Sequence, residues 1–432
     1  MNVIKNVIIE GFWTDNTVKL NFQENINFLI GVNGSGKTTI INLIAATLNA
    51  DFSTLDRFQF KKIKVDLQEQ LIGEKSKSAF IEVEKIEKEA SPYPYIKFKI
   101  KNYDDEKPRE FNLDELEEEH LIRYPGEFSI QRRHARGSQF ERNVNLALQE
   151  LVNVTWLSIH RTNSYSRRRE ERNFESTIDQ KVEELQNELI KYFSQLDRKL
   201  SVETDSFQKF IFESLIDVPQ KNTLSTFDEN IDANREKTSL QEIFSLFKLD
   251  EKVTNKKLDT YFKGYKNSVA NFKAREGSIS IEDFSFLLGI RRIHSVVQEW
   301  NSLIQKQNII NEPKKIFLDV INSLLQRKGL IINERNELVV RTVNGKIFPL
   351  INLSSGEKQL LIILGQSLLQ ESKTHIYIAD EPELSLHVEW QEKLVSSLRK
   401  LNPNSQIIFA THSPDIVGEF ASGVIKVEEA IS

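Results

Sequence analysis

The sequence predicts an α/β fold: a parallel sheet carrying a glycine loop, an antiparallel β subdomain beside it, and a helical insertion that splits the sheet between the two ends of the chain. Three observations predict it. Ile26 to Ile30 is an apolar run that stops at Gly31 and resumes as an apolar helix from Thr38 to Leu48. From Leu353 onward helical and strand patterns alternate, as βαβ units do. Between them, residues 161–328 are poor in glycine and proline and keep helical spacing. The expected divisions are 1–160 for the first part of the head, 161–329 for the insertion and 330–432 for the rest of the head.

Within the first part, Val3-Ile4 and Val7-Ile8-Ile9 read as β-rich, and three alternating runs at 58–67, 79–86 and 95–100 read as half-exposed antiparallel strands. An acidic run over 104–119 reads as a solvated loop and helix face. In the insertion, Ile178, Val182, Leu185, Leu189, Phe193, Leu196 and Leu200 form one apolar stripe, on a helix of roughly 35 Å at 1.5 Å per residue. A short coiled coil and a bundle helix both satisfy it. Residues 330–350 read as a hairpin turning at Asn344-Gly345.

The 432 residues are 39% hydrophobic and 28% charged, enough for a packed core, and the net charge of -5 argues against an all-basic surface. The absence of cysteine excludes disulfides, thiolate catalysis and Cys-ligated zinc, and fits a cytoplasmic protein. No leader pattern opens the chain and no uncharged apolar run approaches ~20 residues, so no membrane span is expected.

Four motifs carry chemistry. Gly31-Val32-Asn33-Gly34-Ser35-Gly36-Lys37-Thr38 satisfies G-x-x-x-x-G-K-[ST], followed by Thr39. Its glycines let backbone N–H groups turn around a phosphate, Lys37 reaches the β- and γ-phosphates, and the Thr38 hydroxyl suits Mg²⁺. His375 to Ala379 is a buried strand that delivers Asp380 and Glu381 at its end. Because neighbours on an extended chain face opposite ways, Asp380 is expected at the metal and Glu381 near the attacking water as general base. Leu353-Ser354-Ser355-Gly356-Glu357-Lys358-Gln359 opens an apolar helix, with Ser354 as cap and Ser355 and Gly356 offering N–H groups. Ile407 to His412 reads as a short buried strand that ends at His412, which puts an imidazole at the same sheet edge.

In their order along the chain the four motifs resemble the Walker A, signature, Walker B and switch-histidine elements of the ABC ATPases. The resemblance implies ATP and Mg²⁺ as cofactors and a head-to-head homodimer. Ser354 and Gly356 of one copy would complete the site around Lys37 of the other, and a higher homo-oligomer stays open. Glu381, His412 and Lys37 are the implied catalytic residues, Thr38 and Asp380 the metal ligands. The glutamine loop falls on Gln59 or Gln131, and His387 stands where many relatives carry aspartate. Phe12 and Trp13 are candidates for stacking on adenine or for the core.

The finer pattern LSSGEKQ, DEPELSLH and ATHSP around a helical insertion resembles OLD-type and SMC-like ATPases, including PARIS-type (AriA-like) and Septu-type (PtuA-like) anti-phage proteins. That implies a sensor ATPase that controls a separate effector, a Toprim or HNH nuclease or a toxin, since only twenty residues follow His412. The alternative is a DNA-repair or chromosome-associated ATPase of SMC/RecF type; a transporter engine is the weakest reading. Arg132, Arg133 and Arg136, with Arg161, Arg167, Arg168, Arg169 and Arg172, suit nucleic-acid phosphates or an acidic partner, and equally a solvated loop.

Overall fold

The computed structural model describes residues 1–69, 79–86, 95–112, 142–157, 177–216, 231–274 and 280–432. Both arginine clusters, Gln131 and the acidic run beyond residue 112 lie outside them. The chain forms two compact units, 1–190 with 316–432, and 191–315. No helix among the described residues is long and apolar enough to cross a membrane.

The first unit is built on a five-stranded parallel sheet in the order β14 (Val424–Lys426), β3 (Ile26–Ile30), β13 (Ser405–Ala410), β12 (His375–Asp380) and β8 (Val154–Leu157). Parallel strands are covered on both faces, which is why β13 is buried at every residue and reads as a continuous apolar run. Alternation along β12 shows the two coverings. Ile376 and Ile378 join the cluster of Ile40, Ile41 and Ile44 from the helix Lys37–Leu48. Tyr377 points the other way and donates its hydroxyl to the Ile363 carbonyl of the helix Ser355–Leu368 at 3.0 Å. Burial pushes that phenol well above its ordinary value, so it stays a neutral donor.

Register decides where the chemistry emerges. Asp380 sits opposite Ala410, and Ala410 opposite Leu29. The segments leaving β3, β12 and β13 therefore exit at one edge, outside the carboxyl ends of the strands.

Beside this sheet lies a six-stranded antiparallel one, in the order β2 (Asn16–Asn21), β1 (Asn2–Phe12), β4 (Lys62–Glu69), β5 (Ala79–Ile86), β6 (Tyr95–Lys101) and β7 (Arg109–Asn112). The N-terminal β-rich run is one eleven-residue strand, and the first of the three alternating runs begins at Lys62, because 52–57 is helical. Ile63, Val65 and Leu67 face inward, while Lys62 on the outer face pairs with Glu82 at 2.9 Å. The region expected as a hairpin has three strands: β9 (Lys328–Ile332), β10 (Leu338–Thr342) and β11 (Ile347–Pro349). Asn344-Gly345 turns between the last two.

The helix predicted from the apolar stripe spans Thr177–Ile216, 40 residues and so about 60 Å. Its first turns belong to the head unit. Leu185 packs on Gly365, and buried Asp179 receives the Lys358 ammonium at 2.6 Å. Removing one partner of so buried a pair costs about 3–5 kcal/mol. In the second unit Phe207, Leu240, Ile243, Leu258, Phe262, Leu287 and Trp300 form a shared core contributed by four helices, which is bundle packing.

Candidate nucleotide site

The phosphate loop leaves β3 and closes on the helix Lys37–Leu48. Gly34 and Gly36 stand at φ of 85° and 96°, the left-handed region that turns successive N–H groups to one side and that a Cβ disfavours. Gly34 and Asn33 are exposed, Ser35, Thr38 and Thr39 half-buried. Lys37 is only 5% exposed, and its ammonium donates to the carbonyls of Gly31 and Val32 at 2.8 and 3.0 Å. Burial lowers its proton affinity, while the carboxylates of Glu428, Glu381 and Asp380 oppose that.

The Thr38 hydroxyl donates to Asp380 Oδ1 at 3.2 Å, joining residues 342 positions apart. A hydroxyl and a carboxylate side by side fit a magnesium ion, which takes few protein oxygens and completes its shell with waters and substrate phosphates. Among the described residues no group of three or more His, Cys, Asp or Glu side chains is placed to hold a metal ion.

Glu381 diverges from Asp380 by a sharper device than strand alternation. It stands at φ 47°, with its N–H on the Ala410 carbonyl at 2.8 Å, so the chain turns off the strand at this residue. Its Oε1 lies 3.8 Å from His412 Nε2. β13 ends at Ala410, two residues before His412, so the imidazole is carried by the segment after the strand rather than by the strand itself. The structure thus brings Lys37, Thr38, Asp380, Glu381 and His412 to one edge.

The signature segment caps its helix. Ser354 Oγ accepts the Glu357 N–H at 3.4 Å and Glu357 Oε2 accepts the Ser354 N–H at 2.9 Å, a full capping box. Ser354 and Ser355 are exposed, whereas Gly356 is buried against the Ser385 carbonyl, with no room for a Cβ.

Of the aromatic pair, Phe12 is fully buried and belongs to the core; Trp13, 45% exposed, stacks on it at 4.6 Å and leaves one face open beside Gly36. Gln59 is an exposed loop residue, and His387 caps the helix Val388–Leu401 through the Glu389 N–H.

Three residues escaped sequence reasoning. Glu383, 8% exposed, accepts from the Thr411 hydroxyl at 2.5 Å and from the N–H groups of His412 and Ser413. Gln359 donates to the Pro382 carbonyl at 2.9 Å, tying the signature helix to the turn after β12. Glu428 accepts the Val32 N–H at 2.6 Å. Glu383 and Gln359 sit inside motifs already noticed; Glu428 had no sequence signal.

Parts of the chain are similar to known proteins. The chain is 28% identical over 200 residues to the Retron Vc95 probable ATPase of Vibrio cholerae serotype O1 biovar El Tor, covering 44% of this chain and 36% of that one. It is 26% identical over 217 residues to the Septu protein PtuA of Bacillus thuringiensis, covering 46% and 53%. A DNA double-strand break repair Rad50 ATPase from Saccharolobus solfataricus matches at 26% over 158 residues, 34% of this chain and 18% of that one. The matches thus span about half or less of these relatives' own lengths. Among solved structures, an Smc head domain from Pyrococcus furiosus aligns over 96% of this chain and 91% of that one. The TM-score is 0.42 and the identity 13%, and the fold described above stands on its own strand order instead. A family profile described as an AAA ATPase domain matches residues 3–417, nearly the whole chain, and the protein belongs to that AAA_15 ATPase family.

Proposed function

We propose that this protein is a magnesium-dependent ATP hydrolase whose heads pair two-fold, each composite site taking Lys37, Thr38, Asp380, Glu381 and His412 from one copy and Ser354 and Gly356 from its twin. The observation that supports it most is the meeting of Thr38 with Asp380 at 3.2 Å, at the edge where Glu381 and His412 also emerge. The loop N–H groups and Lys37 would hold the β- and γ-phosphates, with Gly31, Asn33, Gly34, Ser35, Gly36 and Thr39 shaping the cradle. Magnesium on Thr38 and Asp380 would offset charge on the phosphate oxygens when bound. Glu381 takes the proton of the attacking water, and His412 donates to the γ-phosphate. Ser354 is exposed at the head of its helix, so its hydroxyl and the neighbouring N–H groups are available to a phosphate on a facing copy.

In the cell we assign it the role of an ATP-switched sensor in anti-phage defence, holding a separate nuclease or toxin. Its similarity to a retron ATPase and to a Septu protein supports this. The similarity to a Rad50 ATPase supports the second reading, action on DNA itself. The two separate cleanly: hydrolysis stimulated by DNA, and falling steeply with salt, favours the second. The core assignment is tested by nucleotide titration of the Lys37→Ala variant. Loss of ATP binding is expected, and unchanged affinity overturns the site.

A further inference from the structure

Glu428 lies on the short turn Val427–Ala430 after β14, 396 residues from the phosphate loop it touches. Its Oε1 accepts the Val32 N–H at 2.6 Å. Its carboxylate also lies against the Gly31 Cα: a Cβ built on Gly31 would stand 2.6 and 2.9 Å from the two carboxylate oxygens. A side chain at position 31 would thus have to displace the Glu428 carboxylate.

The other end of the loop lies against two aromatic rings. A Cβ on Gly36 would meet the rings of Phe12 and Trp13 at 3.0 and 3.1 Å. These two contacts are linked through backbone hydrogen bonds. Thr17, just beyond the turn that carries Trp13, exchanges both backbone hydrogen bonds with Ser432, at 2.8 and 2.9 Å, and Val18 bridges Ile431. Buried Val427 anchors the same segment in the core. The strand after the aromatic turn and the C-terminal segment are thus hydrogen-bonded to each other, and Trp13 and Glu428 each lie against the phosphate loop.

We propose that Glu428 is a positioning residue of the nucleotide site, bracing the Gly31–Val32 peptide so that the loop N–H groups and Lys37 are preset for a triphosphate. The hydrogen bond from Val32, with the charges of Lys37 and Lys426, holds the Glu428 carboxyl below its ordinary value, so the acceptor is ionised at neutral pH. A preset loop binds more tightly because less backbone freedom is lost on binding. The inference rests on the reading of Gly31–Thr38 as the nucleotide site.

The test compares Glu428→Ala, Glu428→Gln and Lys37→Ala in the full chain. It uses a fluorescent ATP analogue for affinity, steady-state hydrolysis for kcat and KM, and amide hydrogen exchange at Val32. The alanine variant is expected to weaken binding about tenfold or more, the scale of one charge-assisted bond. It should raise KM more than it lowers kcat and speed exchange at Val32, with the melting temperature nearly unchanged. Glutamine keeps an acceptor oxygen and is expected to restore most of the affinity. Unchanged affinity in the alanine variant, or a glutamine variant as weak as alanine, overturns the brace. If Lys37→Ala binds normally, the site reading itself falls; if only that variant loses binding, the site stands and the Glu428 role alone is lost.

Discussion

Glu383 Oε1 accepts the backbone N–H of His412 at 3.0 Å, so a carboxyl group three residues past Asp380 ties down the segment that carries His412. The same oxygen takes the Thr411 hydroxyl and the Ser413 N–H. Three donors converge on one buried carboxyl oxygen, each such bond contributing about 0.5–1.5 kcal/mol. The turn after β12 and the segment after β13 are therefore tied together through Glu383.

That coupling makes Glu383→Ala informative. Hydrolysis is expected to fall at least tenfold, about 1.4 kcal/mol in the barrier, while ATP affinity changes little, because Glu383 touches the histidine segment and not the phosphate loop. Single-turnover hydrolysis beside equilibrium nucleotide binding reads both quantities. Equal loss in the two would show that the carboxylate merely supports the fold.

Glu381 is the proposed base, and Glu381→Gln keeps shape and hydrogen bonding while removing proton acceptance. Hydrolysis should drop by about 10²–10⁴, the usual contribution of a positioned general base, with ATP binding intact. Size-exclusion chromatography with light scattering should then show a nucleotide-trapped dimer. Hydrolysis at the parental rate reassigns the base.

Sharing of the site is tested by complementation. Ser354→Ala and Lys37→Ala homodimers should each be inactive. Mixed, they should form heterodimers with one site lacking both mutations, recovering a fraction of the parental activity set by subunit exchange. Absence of recovery in confirmed heterodimers means that serine and lysine act within one subunit.

The capping box predicts a pH dependence. Burial raises the Glu357 carboxyl, but the Lys328 ion pair at 2.9 Å and the bonds with Ser354 win and leave it below its ordinary value of 4.5. A group depressed in the folded state stabilises at pH above 4.5, and this contribution is lost as pH falls through the lower folded value. Thermal unfolding should therefore be less acid-sensitive in Glu357→Gln than in the parent below that pH, and the variant should be the less stable of the two at neutrality. Parallel curves would remove Glu357 from the acid response.

Gly356→Ala places a Cβ into the Ser385 carbonyl, with the Trp390 ring behind it. Backbone cannot swing aside as a side chain can, so a loss of about 1–3 kcal/mol is expected in urea unfolding. A neutral result would mean that the signature helix shifts freely against the segment after β12.

By itself the sequence determined much that is local. The loop Gly31–Thr38, the apolar strand ending in Asp380, the capped helix at Ser354 and the stripe from Ile178 to Leu200 are each set by spacing within a few residues, which backbone geometry converts directly into structure. Tertiary structure alone decided what crosses the chain. It sent Phe12 to the core and left Trp13 at the loop, turned Glu381 off its strand through a left-handed residue, gathered Glu383 onto the histidine segment and laid Glu428 against Val32. The physical reason is that a carboxylate's partner is chosen by which N–H the fold brings within hydrogen-bonding distance, and for Glu428 that donor lies 396 residues away.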